Sequence, residues 1–454
     1  MKKLLVDSLL FSFYLIGLLF LSYAVGISYF LPVVILVIFV YLKYYYQKKA
    51  KRKTYNYLAL GLLLAMVVAS SKALVDYSNL SVYFIPVSAV AMLCTILFND
   101  IGLTFVLALT ASFSAGIIAQ NSLGLTCVLF IGGIFSGILV LNLRRRSQII
   151  KAGILSGVIQ AFSAVFLELP YFEQVFKVIW PNLLSCILSG VFVSGALPVF
   201  EYLFKVASNI KLLELSDFNQ PLLKKMVLEA PGTYHHSLVV GNLSEAAAEA
   251  IGANSLLARI GAYYHDIGKI DKAEYFIENQ LQESLTTAHQ QIKPSISKMV
   301  IMNHVKEGIE LAKRHKLNPA IVDFVAQHHG TSLVFYFYCR ALENGHAEDE
   351  IREEGFRYGG PKPQTKETAI VLLADSAEGA ARALTEHTPK KIHELVRKII
   401  NNKFIDGQLD ECELALSDLE NIAAIFTKIL SAVYHVRITY PEKNGENSDN
   451  KSTA

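Results

Sequence analysis

Histidine and aspartate recur along this chain in a fixed order. His235 and His236 stand in GTYHHS, His265 and Asp266 in YYHDIGK, His304 in MNHVKEG, His328 and His329 in AQHHGTS, and Asp375 in LLADSAEGAAR. Imidazole and carboxylate together suit Mn, Fe, Co or Zn, and the lack of thiolate among them argues against a structural zinc site. A single ion takes three or four ligands, so a set of this size points to two ions. A carboxylate such as Asp266 can bridge them through its two oxygens. Two ions a few Å apart polarise a phosphoryl group and lower the pKa of a bound water for in-line attack on phosphorus. That is phosphodiesterase or phosphatase chemistry. It needs no serine or cysteine nucleophile, and the sequence offers no convincing motif for one. Each piece alone is weak, because a lone His in a helical domain is more often a surface or core residue than a ligand. The ordered set carries the signal.

Packed helices can aim such widely separated residues into one pocket. From about 230 to 440 the apolar spacing is helical almost throughout: 237–251, 254–265, 294–315, 318–328, 366–385, 389–401 and 416–434. Strand-like alternation is scarce, so the expected fold class is all-α. Residues 340–365, with a Gly-Gly-Pro-Lys-Pro stretch, read as a loop. Residues 207–229 read as a connecting helix with a break near Asn219-Gln220-Pro221, able to pass movement from the preceding half. The tail, 441–454, has the composition of a disordered segment.

The preceding half has a different composition. Mean hydropathy over the 454 residues is +0.38, and the excess lies in residues 8–206. All twelve histidines fall between His235 and His435. A histidine-free apolar half joined to a histidine-rich polar half reads as a membrane anchor plus a chemically active domain, with a boundary near 206. A span needs about 20 apolar residues. Candidates lie near 8–24, 27–43, 55–75, 82–98, 101–119, 122–142, 149–168 and 178–204. Lys2 and Lys3 before the first run also fit a signal peptide, but no A-x-A-like cleavage site follows, which favours a retained helix. The basic clusters KYYYQKKAKRK (43–53) and Arg144-Arg145-Arg146 both belong on the cytoplasmic side. Eight spans satisfy this, whereas seven would place Lys2 and Lys3 outside. The polar half then emerges in the cytoplasm. Few ionisable residues lie within the spans, which disfavours a transporter. The five cysteines show no CxxC spacing and three lie in apolar runs, which excludes a disulfide framework or zinc knuckle. A net charge of +3 gives no sign of a DNA or RNA polymer as partner.

The words EAPGTYHHS (229–237), LLARIGAYYHDIGK (256–269), NHVKEGIELA (303–312), QHHGTSLVFYFY (327–338), ETAIVLLADSAEGAARAL (367–384) and GQLDECELALSDLE (407–420) carry a resemblance. The chain resembles the seven-transmembrane HD-domain family of cyclic di-AMP phosphodiesterases. The resemblance implies hydrolysis of cyclic di-AMP to linear pApA at the cytoplasmic face of a bacterial cell membrane. It implies one metal held by His236, His265, Asp266 and Asp375, and a second by Asp266, His304, His328 and His329, with Mn or Fe the expected ions. Adjacent helical residues point about 100° apart, so one of His235 and His236 faces the metals, and the family motif favours His236. His235 and Tyr234 are then candidates for facing substrate. Lys269, close to the same face as Asp266, is a candidate to neutralise phosphate charge, with a solvated lysine as the plain alternative. Tyr234, Tyr336 and Tyr338 could stack a base or simply pack in the core. Alarmone hydrolases carry a Glu-Asp pair after their His-Asp, and cyclic di-GMP enzymes of related type carry Gly-Tyr-Pro after their paired His; neither word is present. Family members place a large extracellular domain after the first span, where this sequence has only a few residues near 24–29. Partners expected are cyclic di-AMP, the lipid bilayer and a homo-oligomer. The competing readings are a membrane receptor that binds nucleotide without cleaving it, a phosphohydrolase of another nucleotide, and a transporter with a regulatory domain.

Overall fold

The computed structural model describes residues 57–120, 122–168, 174–204, 206–280, 294–343 and 352–434. The expected spans at 8–24 and 27–43, the basic run 43–53 and the tail 441–454 lie outside the described residues. Among the described residues the chain is all-α; there is no strand, and a single isolated antiparallel bridge joins Leu333 and Arg357. The chain divides into two compact units, one running up to Lys224 and taking in Ala312–Val322, the other made of Lys225–Leu311 and Asp323 onward.

The first unit contains α1 (Tyr57–Tyr77), α2 (Val87–Phe98), α3 (Ile101–Ile118), α4 (Leu123–Leu139), α5 (Ser147–Glu168), α6 (Val175–Phe204) and α7 (Asn209–Leu215); α8 (Pro221–Glu229) follows after the break expected at Asn219-Gln220. Its turns are written in polar residues. Asn99 ends α2 in the left-handed conformation (φ 47°), and the Asp100 side chain accepts from the Leu103 N–H at 3.1 Å to start α3. Ser122 caps α4 in the same way at 3.2 Å. Among the described residues four helices are long and apolar enough to cross a membrane: Ala59–Tyr77, Ile101–Ile118, Ser147–Leu167 and Val175–Phe204. The span expected at 82–98 is broken: a 3-10 turn covers Val82–Phe84, and the α-helix begins after Pro86 and has 12 residues. At 1.5 Å per residue such a helix covers only about 18 Å. Leu123–Leu139 is likewise a shorter apolar helix.

Small residues bring α5 and α6 together. A Cβ on Gly153 would stand 2.6 Å from the Cys186 carbonyl oxygen and 3.3 Å from Gly190 Cα. Close backbone approach of this kind is how helices associate where burial of apolar surface supplies no drive. A buried amide sits beside it. Gln160 on α5 donates to Asn182 Oδ1 on α6 at 2.9 Å and accepts from Cys186 Sγ on α6 (3.1 Å) and Ser88 Oγ on α2 (3.3 Å). All four side chains are buried, so each polar atom has its partner inside the bundle rather than in water.

The second unit holds α9 (Pro231–Ala250), α10 (Ser255–Tyr264), a 3-10 stretch (Ile267–Tyr275), α11 (Pro294–Arg314), α12 (Pro319–Gln327), α13 (Phe335–Glu343), α14 (Lys366–Arg382), α15 (Pro389–Ile405) and α16 (Leu416–Val433), with the terminal turns of α11 and α12 belonging to the first. The helix expected to begin at 237 starts at Pro231, because proline suits the first helical turn, and this places His235 and His236 on it. The segment read as a loop carries the end of α13 and a 3-10 turn at Glu353–Phe356. The core forms around α14, whose Ala369 to Ala374 are fully buried against α9, α10, α15 and α16. Thr365 caps α14, and a buried Lys366–Asp418 ion pair ties its first turn to α16.

The Gly153 contact yields a stability prediction. Gly153→Leu forces α5 and α6 apart and destabilises the bundle by about 1–3 kcal/mol. Thermal unfolding of the detergent-solubilised protein reads this out, and an unchanged midpoint would show that the approach of the two helices contributes nothing.

Candidate metal centre

Five elements of the second unit deliver the cluster. His236 comes from α9. His265 ends α10, and Asp266 follows it at the turn into the 3-10 stretch. His304 lies in α11, His328 and His329 directly follow α12, and Asp375 lies in α14. Their ligand atoms form two groups: His236, His265, Asp266 and Asp375, and His304, His328 and His329, the atoms of each group lying within 4.8 Å of one another. Asp266 stands between the groups. Its Oδ2 is 3.2 Å from His265 Nε2 and 3.6 Å from His236 Nε2, while its Oδ1 is 3.4 Å from His304 Nε2 and 3.5 Å from His328 Nε2. Asp375 reaches His236 Nε2 with Oδ1 at 3.1 Å and His329 Nδ1 with Oδ2 at 3.5 Å.

One contact fixes the distance between the two groups. Gly268, two residues after Asp266, lies against α11, where a Cβ would fall 1.8 Å from the His304 carbonyl oxygen and 2.6 Å from the Gly308 nitrogen. Only glycine lets the Asp266 turn approach the His304 turn backbone to backbone.

The hydrogen bonds turn the rings inward. His265 Nδ1 donates to the Ala262 carbonyl (2.6 Å), His304 Nδ1 to that of Ile301 (2.5 Å), and His328 Nδ1 to those of Val325 (3.0 Å) and Phe324 (3.1 Å). His236 Nδ1 faces Glu378 Oε2 at 2.5 Å. Each pairing turns Nε2 toward the cluster, which is how ligating histidines are oriented. The consequence is electrostatic. The Nε2 atoms of His304 and His328 oppose each other at 3.2 Å, and His265 Nε2 and both carboxylate oxygens of Asp266 are buried without a hydrogen bond of good geometry. Lone pairs and an anion turned on one another in a buried place call for cations among them. The donor set therefore fits divalent metal ions. The site opens on one side, where the side chains of Asp375 and His329 are 14% and 20% exposed against 0–4% for the other five.

Charge divides the two groups. Burial opposes a proton on His265, but Asp266 and then Asp375 outweigh it and raise its pKa to about 10. His236 is raised as well, burial being overcome by Asp375 and Glu378. In the other group burial dominates: His304 is pushed down to about 3, and His329 falls well below its ordinary value, with His328 adding to the effect. Burial disfavours ionised Asp266 and Asp375 too, yet the neighbouring histidines, and Lys269 in the case of Asp266, hold both far below the usual carboxylate range.

Lys269 is not solvated. Its ammonium is nearly buried and lies 2.7 Å from Asp266 Oδ2 and 2.9 Å from Glu278 Oε1. His235 is exposed, with its neighbour His236 turned into the cluster; Tyr234 is half-buried on the same helix. Tyr336 is exposed, and Tyr338 packs on Phe356 with ring centres 5.6 Å apart. Sequence reasoning did not single out Glu378, Arg382, Glu278 or Tyr358. Glu378 orients His236, is paired with Arg382, and accepts from the Tyr434 hydroxyl at 3.0 Å. Tyr358 stacks on His329, with ring centres 4.3 Å apart and planes 25° apart. The spacing of Glu378, three residues after Asp375 on one helix face, was a signal that could have found it.

Packed helices presenting such a set define an HD-type metal centre in a membrane protein. Residues 21–208 match the family described as 7TM receptor with intracellular HD hydrolase, and residues 233–380 match the HD domain. The chain belongs to this seven-transmembrane HD-domain family. It is 40% identical to the cyclic-di-AMP phosphodiesterase PgpH of Bacillus subtilis (strain 168) over 395 residues, which cover 84% of this chain and 54% of that protein. It is 35% identical to the cyclic-di-AMP phosphodiesterase PgpH of Listeria monocytogenes serotype 1/2a over 427 residues, 92% of this chain and 59% of that one. The chain thus spans somewhat more than half the length of these relatives. A crystal structure of the L. monocytogenes PgpH HD domain is 46% identical, with a TM-score of 0.45, covering 48% of this chain and all of the other.

Two predictions follow from this geometry. Manganese must displace a proton from the His236 and His265 group at neutral pH, so apparent affinity rises with pH up to about 10 and loading releases protons. Calorimetric titration in buffers of different ionisation enthalpy measures both, and a pH-independent affinity with no proton release would contradict the charge assignment. Gly268→Ala pushes His304 away from Asp266. Bound metal per chain should fall by about half while the helical signal in circular dichroism persists; full metal content would show that the glycine contact does not set the spacing.

Proposed function

We propose that this protein is a membrane-anchored, metal-dependent phosphodiesterase that hydrolyses cyclic di-AMP to linear pApA. The observation that carries the reading is the pair of ligand groups meeting at one buried carboxylate, Asp266. The names of the Bacillus and Listeria relatives supply the substrate. His236, His265, Asp266 and Asp375 would hold one divalent ion, and His304, His328 and His329, with Asp266 shared, the other; manganese or iron suits these donors. When bound, such a pair polarises a phosphoryl group and makes water nucleophilic at neutral pH.

The chain's own residues do the rest. Asp266 and Glu278 hold the Lys269 ammonium at the edge of the cluster, where it offsets phosphate charge. Burial alone would lower its pKa, but Asp266, Glu278 and Asp375 outweigh that and raise it, so Lys269 stays charged at every working pH. Glu378 keeps His236 in one tautomer. Asp375 and His329 line the exposed side, which is the approach for substrate. His235 and Tyr234, on α9 next to that cluster, are proposed to face the nucleotide. The domain lies in the cytoplasm by this reading, since Arg144-Arg145-Arg146 marks the inner end of α4 and α5.

The test is turnover of cyclic di-AMP by the detergent-solubilised protein with added manganese, run beside cyclic di-GMP and beside Asp266→Ala. Conversion of cyclic di-AMP to pApA is expected, lost on chelation and lost in the variant together with most bound metal, because the variant removes the shared ligand. Binding without cleavage by the metal-loaded protein would replace this reading with a receptor. Full turnover by Asp266→Ala would overturn the two-metal assignment.

A further inference from the structure

The cations around the metal centre differ in how they are matched. Lys269 is held by Asp266 and Glu278, Arg382 by Glu378, and Arg357 by Glu353 and Asp406. Lys403, partly buried on α15, is held instead by a neutral group: its Nζ donates to the Ser332 hydroxyl at 2.7 Å, three residues beyond His329. Among the described residues no carboxylate lies within ion-pair distance of it. Burial pulls its pKa below the ordinary lysine value; its electrostatic neighbours are Asp375, Asp406 and the Arg357 cation, and Asp406 is already occupied by Arg357 (2.8 and 3.2 Å) and Gln408 (2.9 Å).

Tyr358 closes the same wall. Its N–H donates to the Ser332 carbonyl at 3.0 Å, and the Leu333–Arg357 bridge fixes the two segments side by side. Its ring lies on His329 and meets His304 edge-on at 6.2 Å, while its phenol is within electrostatic reach of Lys269, Asp375 and Asp266. An under-compensated ammonium and a phenol thus flank the open side of the centre, where Asp375 and His329 are exposed.

We propose that Lys403 and Tyr358 form an anion subsite beside the metal centre that takes a phosphate group of the substrate. The inference rests on the phosphodiesterase reading. A cyclic dinucleotide carries two phosphates. The metal centre takes the one to be cut, and the other must be neutralised by a cation the protein has not already paired. Ser332 holds the ammonium in place without cancelling its charge. The phenol, stacked on His329 and so fixed relative to the metals, donates a hydrogen bond to the same group.

The experiment uses the full-length, manganese-loaded protein and reads two things: the affinity for inorganic phosphate by calorimetry, and kcat and KM for cyclic di-AMP. Lys403→Met is expected to weaken phosphate binding about tenfold, the scale of one charge-assisted hydrogen bond. KM rises similarly, with metal content unchanged, and Lys403→Arg recovers most of the loss. Tyr358→Phe gives a smaller shift in the same direction. Unaltered phosphate affinity in Lys403→Met overturns the subsite, as does a loss of affinity that merely tracks a loss of metal. Should the methionine variant unfold, Ser332→Ala decides: it keeps the charge and frees the ammonium, so phosphate affinity must hold or rise, and a fall overturns the proposal. If the wild-type protein neither binds nor cleaves cyclic di-AMP, the phosphodiesterase reading fails, while the phosphate titration still judges the subsite.

Discussion

The second unit is organised around one buried anion. Asp266 is almost fully removed from water, and neither oxygen has a well-formed hydrogen bond. An isolated carboxylate in such a place costs several kcal/mol. The surrounding structure reads as a response to that cost. Four imidazole nitrogens point at the carboxylate, Lys269 lies beside it, and each ring that could turn away is held by a carbonyl or by Glu378 on its far nitrogen. In the metal-free protein a proton on His265 supplies part of the missing charge, whereas burial keeps His304 neutral. The histidines of the two groups thus differ in proton affinity: His236 and His265 are raised, His304 and His329 lowered.

Much of this arrangement was legible in the sequence because its chemistry is concentrated in short words. The order of His and Asp named seven residues that the structure brings into one place, and helical geometry explains why His236 is turned inward while its neighbour His235 is exposed. What escaped notice lies in two kinds of position. Glu378 and Arg382 are ordinary charged residues in a helix, and only the packing of α14 against α9 shows that they reach His236. Tyr358 and Lys403 come from a polar stretch and from the end of an amphipathic helix; their neighbourhood depends on a bridge between Leu333 and Arg357 that no periodicity announces.

The membrane half shows the converse limit. Hydropathy located the apolar runs, but Pro86 divides one of them into a 3-10 turn and a short helix, a local backbone effect to which a hydropathy window is blind. The Gly153 approach and the Gln160 hydrogen bonds were equally hidden, since a glycine or a single amide scarcely changes the mean of a long apolar run. Gln160 joins three helices through one side chain, so rotating any of them breaks several bonds together.

The contact at Gly268 has a consequence for how this domain can vary. Because the Asp266 turn meets α11 through main-chain atoms on both sides, the separation of the two ligand groups is a property of the backbone and not of any packed side chain. Substitutions elsewhere in the core can alter stability and shape without rescaling that distance. The wall formed by Ser332, Tyr358 and the end of α15 is held differently, by one backbone bridge and by side-chain contacts. The spacing of the donor groups can therefore be kept constant while the side chains of that wall are free to change.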